Sequence, residues 1–96
     1  MLIDDIKKKI TSNLQVNKIE IIDESHLHAG HNNRTQGGVH FKAVIISEHF
    51  DNLSLIERHK IIYAILGKDM GTTIHAFSMK TLTPEEYKDP LLNTNY

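Results

Sequence analysis

Between residues 39 and 82 an alternating strand, a capped helix and a second strand follow one another, and that order dictates how a sheet can be built. In residues 39–46, Phe41, Ala43 and Ile45 point one way and His40, Lys42 and Val44 the other. Ser54-Leu55-Ile56-Glu57 spells a capping box, in which serine and glutamate satisfy each other's free backbone N–H groups. Leu55, Ile62 and Leu66, with His59 between them, then line one helical face; Ile56 and Tyr63 widen it, and Arg58 and Lys60 flank it. Gly67 is a natural stop, and residues 73–82 form the next strand. A connection that contains a helix makes the two strands parallel, with a right-handed crossover.

Leu2, Ile6, Ile10 and Leu14 recur every four residues, with Lys7, Lys8 and Lys9 mostly opposite, which predicts an amphipathic helix. Ile19-Glu20-Ile21-Ile22-Asp23 reads as a strand that forms an antiparallel hairpin with residues 39–46. Thr83-Pro84-Glu85-Glu86 is a second capping box with proline at the first helical position. The expected helices are therefore 2–14, 54–66 and 84–88, and the expected strands 18–23, 39–46 and 73–82. The fold class is α+β, a single domain over residues 1–96 with its core in 2–88 and a frayed tail over 89–96. The order α–β–β–α–β–α implies a mixed three-stranded sheet with helices on one face and the other face partly solvated. Residues 25–38, carrying Gly30, Gly37 and Gly38, are expected to be the most mobile interior segment.

Composition narrows the function. The 96 residues include no cysteine, which excludes a disulfide framework, a thiolate nucleophile and an all-protein cysteine metal site. That suits a reducing compartment, and the expected localisation is cytoplasmic. The formal net charge is −1, too little positive charge to suggest a polyanion partner. No apolar run approaches a membrane span, and Met1-Leu2-Ile3-Asp4-Asp5 does not read as a signal peptide. Ser25, Ser47, Ser54 and Ser78 lack a glycine-elbow context, and no phosphate-cradling glycine loop appears, so an enzyme acting alone is not expected.

Seven histidines are the unusual feature. His26, His28 and His31 fall within six positions of a flexible loop and could converge on one ion, since neutral imidazole suits zinc, copper, iron and nickel. The plain alternative is a solvated polar loop. His59 falls on or near the helical core stripe and reads as a half-buried residue giving one hydrogen bond to the sheet. His75 opens the last strand. Parity puts it with Phe77 and Met79 as a packed strand residue, although a histidine at a strand's first position can turn outward at the sheet edge.

In this order the pieces resemble the BolA family. The matching segments are Asp23-Glu24-Ser25-His26, His40-Phe41, Ile46-Ser47 leading to Phe50, Arg58-His59-Lys60-Ile61-Ile62-Tyr63, and Ile74-His75-Ala76-Phe77 followed by Thr81-Leu82-Thr83-Pro84-Glu85. The resemblance implies a KH-like α+β domain of the second type. It also implies a partner, a monothiol glutaredoxin, with which the chain shares a 2Fe–2S cluster. The glutaredoxin would supply its cysteine and a bound glutathione thiolate. This chain would supply His75 and one loop histidine, His28 counted forward from Asp-Glu-Ser or His31 counted backward from His40-Phe41. Histidine in place of thiolate raises the reduction potential and makes cluster retention pH-dependent. His59 matches a family position and is left with a structural role near the site.

The leading expectation is thus an iron–sulfur assembly, trafficking or regulatory partner of a monothiol glutaredoxin, with no cofactor in the isolated chain. The alternative is a DNA-binding transcriptional regulator of the BolA type, using a small basic patch of Arg58, Lys60 and Lys68. A third is a histidine-loop metal binder with no protein partner. The free protein is expected to be a monomer or weak homodimer.

Overall fold

A computed structural model describes residues 2–24 and 39–89. The first helix, α1 (Leu2–Asn13), carries Asp4 and Asp5 in its opening turn, where the helix dipole favours negative charge. Its last turn is closed by side chains: Thr11 Oγ1 donates to the Lys7 carbonyl at 2.9 Å and Asn13 Nδ2 to the Lys9 carbonyl at 2.8 Å. Ile6 and Ile10 are its buried stripe.

Strands β1 (Lys18–Asp23), β2 (Val39–Ile46) and β3 (Ile74–Leu82) form a sheet in the order β1-β2-β3. β1 runs antiparallel to β2 with Ile21 opposite Ala43, and β3 runs parallel to β2 with Phe41 opposite Phe77. The mixed sheet and the parallel pair follow the sequence expectation. Phe41, Ala43 and Ile45 are buried as their alternation predicts, while His40, Lys42 and Val44 lie half-buried on the other face. Ile6 and Ile10 of α1, Ile62 and Leu66 of α2 (Leu55–Leu66) and Phe50 complete one core on the first face. The third helix, α3 (Pro84–Lys88), lies across the end of the sheet, where Lys18 Nζ donates to Tyr87 Oη at 3.0 Å. Short 3₁₀ turns at Glu48–Phe50 and Gly67–Asp69, unexpected from periodicity, lead into and out of α2.

Both capping boxes are formed. Ser54 Oγ accepts from the Glu57 N–H at 3.1 Å, and Glu57 Oε1 accepts from the Ser54 N–H at 2.8 Å. Replacing Ser54 by alanine is expected to cost about 1 kcal/mol and replacing it by glycine only a few tenths, read as midpoint shifts in urea unfolding. At the other end Gly67 adopts φ 54°, which favours glycine, and its N–H donates to the Tyr63 carbonyl.

The buried stripe of α2 differs from the one its sequence suggests. Arg58, Ile62 and Leu66, spaced by four, face inward, whereas Leu55 and Ile56 are 62% and 68% exposed. Placing a cation on the core side requires partners, and Arg58 has them. Its Nε donates to the Leu53 carbonyl at 3.0 Å and its Nη1 to the Thr81 carbonyl at 2.9 Å. The guanidinium also forks onto the Glu86 carboxylate, at 2.7 and 3.1 Å. The helix also shields the outer edge of β3, since the Phe77 carbonyl accepts from Tyr63 Oη at 3.4 Å and the Thr81 carbonyl from Arg58.

Candidate functional site

The end of β1 and the starts of β2 and β3 share one end of the sheet. There the Glu24 N–H donates to the His40 carbonyl at 2.8 Å, extending the β1–β2 ladder by one residue. Glu24 Oε2 lies 3.8 Å from Lys42 Nζ. The chain therefore leaves the described structure beside His40 and re-enters it at Val39, which pairs with Ile74. His26, His28 and His31, and the expectation of a mobile 25–38 segment, lie outside the described residues, as does the expected tail from residue 90 onward.

The register of the parallel pair breaks at this end. Val39 lies opposite Ile74, but His40 lies opposite Ala76, so His75 is an extra residue with no partner on β2. Such a bulge is rare in a parallel pair and re-aims a side chain. Its effect on phase is visible in burial: Ile74 and Phe77 are both buried although three residues apart, and His75 is exposed. The parity expectation that packed His75 with Phe77 and Met79 is thereby corrected: His75, second in the strand rather than first, turns outward. The Gly71 N–H donates to the Ile74 carbonyl at 2.7 Å, holding the turn that feeds the strand, with Gly71 at φ 90°. Buried Ile74 and Phe77 fix the backbone on both sides of the histidine. The imidazole of His75 has no hydrogen-bond partner among the described residues.

His59 is half-buried on α2 and, among the described residues, makes no hydrogen bond to the sheet. The expected sheet anchor is supplied instead by its neighbours Arg58 and Tyr63. Arg58 is also withdrawn from the basic patch in which the sequence placed it, leaving Lys60 and Lys68 exposed. Among the described residues no three His, Cys, Asp or Glu side chains cluster to hold a metal ion. His75 is thus a single, rigidly mounted, unengaged donor, one that needs further ligands from elsewhere.

The arrangement matches known proteins along most of its length. The model of the family described as BolA-like protein covers residues 10–86. The chain is 41% identical over 83 residues to the DNA-binding transcriptional regulator BolA of Haemophilus influenzae, covering 86% of this chain and 78% of that one. Among solved structures, the BolA domain of SufE1 from Arabidopsis thaliana superposes with a TM-score of 0.73 at 35% identity, covering 86% of this chain and 92% of that one. BolA1 from the same plant gives 0.72 at 30% identity, with 86% and 92% covered.

Proposed function

Since this chain belongs to the BolA family, we propose that it is a binding module that pairs with a monothiol glutaredoxin and co-ligates a 2Fe–2S cluster through histidines. The observation that carries this reading is His75, an exposed and unengaged imidazole set on a bulge at the sheet end from which the histidine-rich segment departs. An imidazole packed in the core could not present a nitrogen to iron; this one is exposed and can, with its second ring nitrogen left to take the hydrogen bond that orients a metal-bound histidine. When bound, the cluster would supply one-electron chemistry at a potential raised by histidine ligation.

Chain length allows either loop candidate to reach it. The strands are roughly 5 Å apart, so His75 stands about 10 Å from the end of β1. Four residues beyond Glu24, His28 can span at most ~14 Å, and His31, seven residues beyond it, up to ~25 Å. We assign His75 as one ligand and His28 or His31 as the other. The chain itself performs no bond-making step in this reading; its part is to present nitrogen donors and to dock the partner. The absence of cysteine suits a reducing compartment, which we take to be the cytoplasm. Among the described residues no helix is long and apolar enough to cross a membrane.

A second reading is favoured by the name of the Haemophilus relative, a DNA-binding transcriptional regulator. The charges available for it are few. With Arg58 committed to Glu86, the patch retains Lys60 and Lys68 on a chain of net charge −1. Two phosphate contacts predict a shallow salt dependence, with log K falling by roughly 2 per tenfold rise in salt. The test is to mix the pure protein with a monothiol glutaredoxin, with and without cluster, and record visible absorption and circular dichroism beside size exclusion. The glutaredoxin reading expects co-elution with or without cluster, and a heterocomplex spectrum that requires iron, sulfide and glutathione. Duplex DNA binding that weakens as salt rises, with no heterocomplex, would overturn it.

A further inference from the structure

We propose that the solvent face of α2 is the surface on which the cluster-sharing partner docks, a partner whose facing surface is apolar at its centre and acidic at its rim. This rests on the cluster-sharing reading above and adds where the protein–protein contact lies. Four large hydrophobic side chains are exposed among the described residues, and three belong to α2: Leu55 at 62%, Ile56 at 68% and Tyr63 at 42%. Ile56 and Tyr63 are seven residues apart, two turns along one face, while Leu55, about 100° round the helix from Ile56, is exposed at the helix's first position and borders that face. Isolated exposed apolar residues need no explanation, but two aligned on one face with a third at its border make a patch.

Charge selects the occupant. Lys60 lies one turn from Ile56 on the patch, and Lys68 follows its end; neither meets a carboxylate among the described residues. The acid on the helix, Glu57, is spent on the Ser54 cap, and the other cation, Arg58, faces inward onto Glu86. What remains outward is apolar with a positive rim, which complements an acidic one.

Position joins the patch to His75. Arg58 bonds the Thr81 carbonyl near the end of β3, and Tyr63 bonds the Phe77 carbonyl near its start, so α2 runs antiparallel to β3. Tyr63 therefore comes alongside the strand two residues from His75, and the patch extends from there about 10 Å along the helix to Ile56, with Leu55 at its border. A partner that reaches His75 through a bound cluster lies over Tyr63 first and can continue down the helix.

The test is calorimetric titration of a purified monothiol glutaredoxin, free of cluster, into the wild-type chain and into Leu55→Asp/Ile56→Asp, Lys60→Glu and Ile22→Asp. Ile22 is the fourth exposed hydrophobic, 53% exposed on β1, and serves as the control. All four positions are exposed, so far-ultraviolet dichroism and melting should stay near wild type. The double variant is expected to raise Kd at least ~10-fold, Lys60→Glu to raise it several-fold while flattening its salt dependence, and Ile22→Asp to leave it unchanged. Wild-type affinity in the double variant, or an equal loss in Ile22→Asp, would overturn the proposal. If the wild-type chain binds and the cluster spectrum responds to His75→Ala while the α2 variants bind normally, the docking surface alone is wrong. If the wild-type chain binds no glutaredoxin with or without cluster, the cluster-sharing reading itself fails and takes this surface with it.

Discussion

His75→Ala is expected to abolish the visible circular dichroism of the histidine-ligated cluster in the reconstituted heterocomplex. His75 is held by the buried residues around it and stands on a bulge, so its donor atom is presented in a fixed place. Loss of His28 or His31 leaves the other, three residues away in sequence, to take its place; His75 has no such neighbour, because Ala76 offers no ligand and Ile74 faces the core. His28→Ala and His31→Ala should each weaken the spectrum, and only the double change should approach the His75 effect. Since His75 is exposed and makes no hydrogen bond among the described residues, its loss should change unfolding stability by no more than ~0.5 kcal/mol. Apo docking should also persist. A wild-type spectrum in His75→Ala would remove the assignment, and a lost spectrum accompanied by unfolding would leave only a structural residue.

The same residue shows where sequence periodicity stops being informative. Phe41, Ala43 and Ile45 could be placed from alternation alone because β2 is central and regular, paired on both sides. His75 could not, because a one-residue bulge resets the phase of a strand, and the turn beside it, in which the Gly71 N–H bonds the Ile74 carbonyl, has no period to read. The loop histidines were legible as a cluster, and family resemblance singled out His28 and His31, but proximity in sequence places neither donor against His75. Arg58 failed for a different reason. Periodicity offers the 58-62-66 stripe as readily as its neighbours, yet a cation is assigned to the flank because an unpaired buried charge is prohibitive. What makes burial tolerable is Glu86, 28 residues further on, and pairing at that distance leaves no local pattern.

Removing that pairing should have the largest effect on the fold. Arg58 is only 6% exposed and donates to two carbonyls and both oxygens of Glu86, tying α2 to the end of β3 and to α3. Its guanidinium also lies 5.8 Å from the Phe50 ring centre. Arg58→Ala leaves buried acceptors unpaired and a void against Phe50, and is expected to cost about 3–5 kcal/mol, lowering Tm by roughly 15 °C or more. Arg58→Lys keeps the charge but cannot reproduce the fork, so it should recover only part of the loss. Glu86 is nearly a third exposed, so its share is smaller and screened by solvent. Its carboxyl is held below the ordinary carboxylate value, chiefly by the Arg58 hydrogen bond and next, against burial, by the Thr83 N–H. A lowered native value means that the stabilisation is complete above the ordinary carboxylate pKa and is lost as pH falls through the lowered one. Glu86→Gln should therefore be less stable than wild type at neutral pH, with the gap closing across that acid window. Urea unfolding of both proteins along a pH series measures the gap directly. A difference that stays constant from neutral pH into acid would show that the charge of Glu86 contributes nothing and that its hydrogen-bonding shape alone holds α3 in place.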